Sequence, residues 1–174
     1  ILCDDEGFDK KILESLPPLA KVSKVEVKRV LTGFDVESFE IANSETSSSY
    51  SPIPADLNLC EECRRELLDK TDCRYRYFFI SCTNCGPRFS IVRGMPYDRG
   101  KTSLENFVMC KRCESEYNHP ENRRYHAQTV ACSSCGPRME LYVGSKKLEC
   151  DDPVREAAAL ISSGEVVAIK GVGG

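Results

Sequence analysis

The apolar positions of the first fifty residues follow two rhythms. Ile12, Leu13 and Leu16 share one face at helical spacing, Asp9 stands where an N-cap belongs, and Pro17 with Pro18 stops the run, which predicts a short helix. Val25 and Val27 then alternate with Lys24, Glu26 and Lys28, the pattern of a half-buried strand, and Phe39 with Ile41 mark a second strand after a turn at Gly33. One helix and two or three strands do not easily enclose a core. Residues 1–49 therefore read as the back half of a small α+β domain with its linker, the polar, serine-rich stretch from Asn43 to Pro54 marking the boundary.

The other end has a different pattern. Asp152 is a good N-cap, Pro153 suits the first helical position, and Val154, Ala157, Ala158, Leu160 and Ile161 form an apolar face that Gly164 closes. Glu165–Lys170 then reads as a buried strand running into the turn Gly171, Val172, Gly173, Gly174. A helix, a strand and a glycine turn over residues 144–174 suit the opening of an α/β domain. The missing initiator Met and the glycine ending suggest a piece of a longer polypeptide.

Between these ends, residues 50–143 carry an internal repeat with a period of 50: Cys60, Cys63, Cys82 and Cys85 map onto Cys110, Cys113, Cys132 and Cys135. Each set is a C-x2-C-x18-C-x2-C unit, and the likeness extends past cysteine, since Cys82-Thr83-Asn84-Cys85-Gly86-Pro87-Arg88 echoes Cys132-Ser133-Ser134-Cys135-Gly136-Pro137-Arg138. Paired C-x2-C knuckles suit tetrahedral thiolate ligation far better than cross-linking, and a redox dithiol would need a thioredoxin-like βαβ context that does not surround them. Four cysteines per metal leave no open position, so the reading is two structural Zn2+ ions, one within each unit rather than interleaved between them. The glycine after each second knuckle is expected at positive φ, with backbone amides turned toward the sulfurs, and each first knuckle should lead into a short helical turn. Cys3, Cys73 and Cys150 fall outside the pattern and read as small buried apolar residues. His119 and His126 read as packing or hydrogen-bonding residues, because eight cysteines already satisfy two metals.

Charge narrows the partners. Residues 50–143 hold 14 Lys plus Arg against 12 Asp plus Glu, and two tetrathiolate zinc sites turn that slight excess negative. This is no phosphate-binding footprint, so no nucleic acid is expected, although Arg64 with Arg65, Arg123 with Arg124, and the aromatics Tyr75, Tyr77, Phe78 and Phe79 could make a local patch. Those aromatics more readily build the small core that so short a module needs. No run of about 18 uncharged apolar residues exists and the N-terminus is acidic, which reads as a cytoplasmic protein with no membrane span.

Several longer motifs go beyond a generic zinc ribbon: Pro54-Ala55-Asp56 ahead of Cys60-Glu61-Glu62-Cys63, Arg74-Tyr75-Arg76-Tyr77 ahead of Cys82, Phe89 after the second knuckle, Met95-Pro96-Tyr97-Asp98-Arg99, and Arg123-Arg124-Tyr125-His126-Ala127-Gln128 ahead of Cys132. With these the chain resembles the double zinc-finger region of the HypF carbamoyltransferases of [NiFe]-hydrogenase maturation. The resemblance implies an α+β multidomain fragment. Residues 1–49 would end a ferredoxin-like acylphosphatase domain, 50–143 would be the tandem four-cysteine zinc fingers, and 144–174 would open a YrdC-like domain. It also implies an enzyme that cleaves carbamoyl phosphate, activates the carbamate with ATP as a carbamoyl adenylate, and passes the group to the C-terminal cysteine of HypE for cyanide ligand synthesis. Lys170, Gly171, Gly173 and Gly174 would then lie at the nucleotide or carbamoyl pocket, which a lysine beside free backbone amides suits, though the same residues suit a tight strand-to-helix turn. The piece itself, lacking the glycine-rich loop with arginine of the acylphosphatase site and most of the adenylate site, is expected to be catalytically inert and to hold its neighbours in register. The competing reading is a non-enzymatic zinc scaffold for a protein or nucleic acid, which explains the cysteines but not the flanking half-domains.

Overall fold

Helix α1 (Phe8–Glu14) starts earlier than the Asp9 cap predicts, because Gly7 takes the capping position at φ 101° and leaves Asp9 in the first turn. There its charge complements the positive end of the helix dipole. The structure, a computed structural model, describes residues 7–16, 20–28 and 56–171. No residue of α1 is buried: on its apolar face Ile12 is half-buried and Leu13 is 44% exposed. The strand expected at Lys24–Lys28 does not form: residues 20–28 carry no ladder, and Val27 is 77% exposed. Alternation supplies an apolar face, but a strand also needs a neighbour for its N–H and C=O groups, and the described residues offer none. Pro17, Pro18, Gly33, Phe39, Ile41 and the 43–54 linker lie outside the described residues.

From Asp56 the repeat becomes geometry. Cys60 and Cys110 have the same extended backbone (φ −70°, ψ 162°), and each launches an eight-residue helix, α2 (Glu61–Leu68) and α3 (Lys111–Asn118). After each helix the chain turns through a non-glycine residue in the left-handed region, Arg76 at φ 57° and His126 at φ 52°. Their amides donate to matching carbonyls, Leu67 at 2.8 Å and Tyr117 at 3.0 Å. An Asx-type bond precedes each turn: Arg74 N–H to Asp72 Oδ1 at 2.7 Å, and Arg124 N–H to Asn122 Oδ1 at 2.9 Å.

Two small cores form around the sulfurs. The larger joins Tyr77, Phe79, Ile80, Ile91 and Leu104 to Cys63, Cys82 and Cys85, and draws in Ala131 from the second module. The smaller holds Cys113, Ala127, Val130 and Cys132. The asymmetry has named sources: Tyr77 and Phe79 of the first module are matched by Ala127 and Thr129 of the second, and Leu104 joins the larger core from the segment between them. Of the aromatic run, Tyr77 and Phe79 are buried in the core while Tyr75 and Phe78 are exposed, so half of the run builds the core.

The segment between the modules is tied by its own bonds. A bridge joins Val92 to Thr102, Arg93 N–H donates to Lys101 O at 2.8 Å, and Arg88 N–H donates to the Tyr97 hydroxyl at 3.1 Å. Arg99 then anchors it to the second module: its guanidinium donates to the carbonyls of Gln128 and Val130 there and to that of Phe107 within its own segment, each at 2.9 Å. The Met95–Arg99 motif is thus structural.

Beyond the repeat, β1 (Leu141–Val143) and β2 (Lys146–Leu148) pair antiparallel about a turn in which Gly144 holds φ 61°. Helix α4 (Pro153–Ser162) then follows its predicted plan, with the Asp152 side chain accepting from Arg155 N–H at 3.0 Å. Gly164 (φ 93°) closes it by donating to Ile161 O at 3.0 Å while Glu165 N–H donates to Leu160 O at 3.0 Å, a Schellman ending. The predicted strand at Glu165–Lys170 is absent, and Val166 is 98% exposed. As at Val25, an apolar run without a neighbouring strand among the described residues stays unpaired. The apolar face of α4 is likewise open at Val154 and Ile161.

Candidate metal centres

The four cysteines of each repeat come together within their own unit, and the interleaved arrangement does not occur. All four sulfurs of Cys60, Cys63, Cys82 and Cys85 lie within 4.8 Å of one another, as do those of Cys110, Cys113, Cys132 and Cys135. The Sγ–Sγ separations of 3.5 Å (Cys60–Cys82), 3.9 Å (Cys82–Cys85), 3.7 Å (Cys110–Cys132) and 3.8 Å (Cys132–Cys135) bracket the ~3.8 Å edge of a tetrahedron with ~2.3 Å zinc–sulfur bonds. The donor set and its size therefore fit Zn2+, with every corner filled by sulfur.

The local backbone explains how the sulfurs converge. Cys60 serves as the cap of α2, its sulfur accepting the Cys63 amide at 3.4 Å, while its own amide donates to Cys85 Sγ at 3.3 Å. The amides aimed at sulfur thus come from the first knuckle, whereas those of the second, expected to face the sulfurs, donate to carbonyls of their own turn instead, as Cys85 and Cys135 do to Cys82 O and Cys132 O. Gly86 follows its knuckle at φ 72°, as predicted, but Gly136 does not adopt positive φ. In the second module Gly136 N–H donates four residues back, to Cys132 O at 2.8 Å, where Gly86 N–H donates three residues back, to Thr83 O at 3.1 Å; the wider turn does not take Gly136 into the left-handed region. Glycine is needed there for space: a Cβ at Gly136 would collide with the Tyr77 hydroxyl and the Ala131 methyl.

The sulfurs do not share their protons evenly. Hydrogen bonding to Cys82 and Cys85, with burial, pushes the Cys63 thiol well up, whereas the bonds Cys85 receives from Cys63 and Cys82 pull it far down. Cys60 is pushed up to about 11 by burial, and burial also raises Cys113. Cys110 is pulled down to about 7, chiefly by the Cys113 backbone amide. Four thiolates can face one cation only after the raised thiols give up their protons.

Charged side chains reach these sulfurs from the opposite module. Arg74 is 1% exposed, and its guanidinium donates to Ala131 O at 2.8 Å, Cys113 Sγ at 3.4 Å and Glu116 Oε1 at 3.1 Å. Fifty residues later Arg124, 3% exposed, donates to Ser81 O at 3.0 Å, lies 4.0 Å from Cys63 Sγ, and pairs with Glu66. Arg123 adds a second cation to the first site, 3.0 Å from Cys63 Sγ and in contact with Glu66. Its counterpart in the first module is Cys73, so the second site has no equivalent. Burial works against the Glu66 carboxylate, but the bonds from Arg124 and Arg123 outweigh it and hold it below the usual range.

These arginines were missed as site residues. The sequence offers Arg123 with Arg124 only as a pair that could make a local patch, whereas both face inward onto thiolate and carboxylate. The signal was present in the repeat, which pairs Arg74 with Arg124 and Glu66 with Glu116. Arg64 and Arg65 do remain on the surface, paired with Glu61 and Glu62 on α2.

The other candidates stand apart. His119 Nδ1 accepts the Glu121 amide at 3.3 Å, and His126 packs against Tyr117 and Tyr125 with ring centroids 4.8 and 4.6 Å away. Neither belongs to a sulfur cluster. Cys73 lies 3.7 Å from Arg74 Nη1, Cys73 and Cys150 are only partly buried, and Cys3 is outside the described residues. Lys170 and Gly171 are exposed, and Gly173 and Gly174 are outside the described residues. No helix among the described residues is long and apolar enough to cross a membrane.

Known proteins share this arrangement. The model of the HypF finger family matches residues 59–92 and 109–142, one match per module. The chain is 48% identical over 98% of its length to the probable carbamoyltransferase HypF of Methanocaldococcus jannaschii, and 46% identical over 95% to the carbamoyltransferase HypF2 of Cupriavidus necator. It spans 23% and 21% of those two proteins. Among solved structures, a full-length HypF in a phosphate- and nucleotide-bound form superposes with a TM-score of 0.81 at 44% identity, covering 97% of this chain and 22% of that one. The HypF of T. kodakarensis gives a TM-score of 0.71 at 42% identity, covering 91% and 20%.

Proposed function

The chain belongs to the HypF family, and from that premise we propose that it is the structural zinc-finger region of a carbamoyltransferase of [NiFe]-hydrogenase maturation. In this reading each four-sulfur cluster holds one structural Zn2+: Cys60, Cys63, Cys82 and Cys85 bind the first, and Cys110, Cys113, Cys132 and Cys135 the second. The observation that carries it is the pair of tetrahedral sulfur sets built within the two repeats. A site closed by four thiolates has no position for water or substrate, so the metal supplies folding energy and not Lewis-acid chemistry.

The whole enzyme would use carbamoyl phosphate and ATP to carbamoylate the C-terminal cysteine of HypE in the cytoplasm, the group then serving cyanide ligand synthesis. A nucleotide-bound HypF neighbour and the carbamoyltransferase names of the relatives support that reading. Residues 1–49 would belong to an acylphosphatase-like domain and residues 144–174 to a YrdC-like one. Lys170, Gly171, Gly173 and Gly174 would approach the nucleotide or carbamoyl group in the latter. The segment in between is inert and fixes the spacing of its neighbours. Arg76, which reaches across to pair with Asp152 at 2.6 Å, is one such tie between the first finger and the start of α4.

The test is metal analysis joined to turnover. The intact protein should hold two zinc ions per chain and release AMP and pyrophosphate from ATP only with carbamoyl phosphate, and stripping zinc should abolish both the fold of residues 56–143 and the coupled reaction. ATP cleavage indifferent to carbamoyl phosphate, in protein holding two zinc ions, would favour a binding scaffold instead.

A further inference from the structure

The reciprocal arginines make neither metal site complete within its own module. Arg74 belongs to the first module by sequence and by its backbone, whose amide is held by Asp72 and whose carbonyl accepts the Tyr77 amide at 2.9 Å. Its guanidinium reaches into the second module, onto Cys113 Sγ, Ala131 O and the Glu116 carboxylate, while Nη1 also lies 3.7 Å from the neighbouring Cys73 Sγ. Arg124 makes the mirrored set on Cys63 Sγ, Ser81 O and the Glu66 carboxylate. These three partners of one map onto the three of the other by the same fifty-residue step, and Arg124 Nε also lies 3.9 Å from Glu116, the carboxylate that Arg74 holds.

From this geometry we propose that the two zinc sites load cooperatively, each arginine acting as a positioning residue that completes the metal site of the opposite module. The proposal rests on the structural-zinc reading above. A zinc tetrathiolate carries two net negative charges, and a buried cation beside it offsets the cost of holding them out of water. Filling the second site therefore gives Arg74 an anionic partner and orders α3, which carries Glu116. Ordering Arg74 fixes the 72–77 turn from which Tyr77, Phe79 and Ile80 enter the core around Cys63, Cys82 and Cys85. The second site thus prepares the first. Arg124 carries the same influence the other way, from a filled first site that orders α2 and Glu66 to the turn ahead of Ala127 and Val130 in the core around Cys113. Two contacts at the seam join the routes directly: Ser81 Oγ donates to Thr129 Oγ1 at 2.7 Å, and Thr83 N–H donates to Arg123 O at 3.1 Å.

The experiment compares zinc binding constants by chelator competition on the full chain. Cys132→Ser with Cys135→Ser leaves the first site alone and gives its constant; Cys82→Ser with Cys85→Ser does the same for the second. The overall constant for two ions in the unsubstituted chain should exceed the product of the two by about tenfold or more, within the usual range of coupling between sites. In the Arg74→Gln, Arg124→Gln background that excess should shrink toward one, and lysine at both positions should restore part of it. Should the double glutamine variant fail to take two ions, Arg74→Gln alone makes the comparison, severing one route and lowering the excess. Two zinc ions with no excess in the unsubstituted chain overturns the coupling while leaving the metal reading intact. An excess that survives removal of the guanidinium groups overturns the arginine route, and fewer than two ions in the unsubstituted chain overturns both readings.

Discussion

Gly86 and Gly136 occupy the same place in the two repeats, yet the structure predicts that alanine is costly at each for a different reason. At Gly86 the nearest obstacle to a Cβ is Leu57 Cδ1 at 3.6 Å, ordinary contact, but φ is 72°, so the cost is backbone strain of about 1–2 kcal/mol. At Gly136 the backbone tolerates any L-residue, but the new methyl would meet the Tyr77 hydroxyl and the Ala131 methyl, both in the core and unable to swing aside. Forcing a methyl into a filled core costs about 1–3 kcal/mol, and two rigid neighbours argue for the upper end. The Tyr77 hydroxyl is itself buried with no hydrogen-bond partner among the described residues. Tyr77→Phe should therefore be neutral or gain up to about 1 kcal/mol, since it removes an unsatisfied polar atom. Combined with Gly136→Ala it should recover about 1–2 kcal/mol of that variant's loss, and it should recover nothing of the loss from Gly86→Ala. Guanidinium unfolding of the zinc-loaded chain, followed by tyrosine fluorescence and circular dichroism, measures all five variants against the unsubstituted chain. A Tyr77→Phe variant that is itself destabilised and does not relieve Gly136→Ala would falsify the steric account, because the hydroxyl would then be making a bond worth keeping.

Three further outcomes follow from the geometry. Arg74→Met should cost about 3 kcal/mol by leaving Glu116 and the Cys113 sulfur without their buried cation, whereas Arg64→Met on exposed α2 should leave the unfolding midpoint unmoved; equal effects would refute the distinction. Chelation should lower the far-ultraviolet helical signal reversibly, because α2 and α3, at eight residues each, are shorter than the ~12–15 residues an isolated helix needs, and an unchanged spectrum would show that the knuckles do not organise them. The Arg155 amide, held first among its partners, and Arg76 keep the Asp152 carboxyl below its usual range, so the capping contribution is present above the unfolded-state value of about 3.9 and lost as pH falls through the lower folded value; amide exchange in the first turn of α4 should rise only in that acidic window, and Asp152→Asn should flatten the dependence.

The parts of this fold that sequence made legible are those whose cause is local or repeated. Spacing alone identified the eight sulfurs and their grouping, and Asp152, Pro153 and Gly164 marked α4 because caps act within a few residues. The runs at Lys24–Lys28 and Glu165–Lys170 show the opposite limit: a strand is a property of two chain segments, and alternation in one says nothing of whether the other is at hand. The positive φ expected after both second knuckles holds at Gly86 and fails at Gly136, because the second knuckle closes as a wider turn onto Cys132 O, a choice of hydrogen bond that the shared motif does not specify. The inward arginines were hidden for a related reason. A basic pair next to a cysteine motif looks like a solvated patch until its counterpart fifty residues away shows that both positions need a charge.

The exchange of Arg74 and Arg124 has the symmetry of a two-fold interface, in which a contact from the first half to the second is returned from the second to the first. Two separate copies of such a half would assemble only as their concentration allowed. Here the segment from Gly86 to Met109, stitched to the second half by Arg99, holds them in one chain, so the encounter is intramolecular and its strength is independent of how much protein is present. A dilute, scarce protein built this way keeps both halves engaged, and a cut in that segment would return the pair to a concentration-dependent equilibrium.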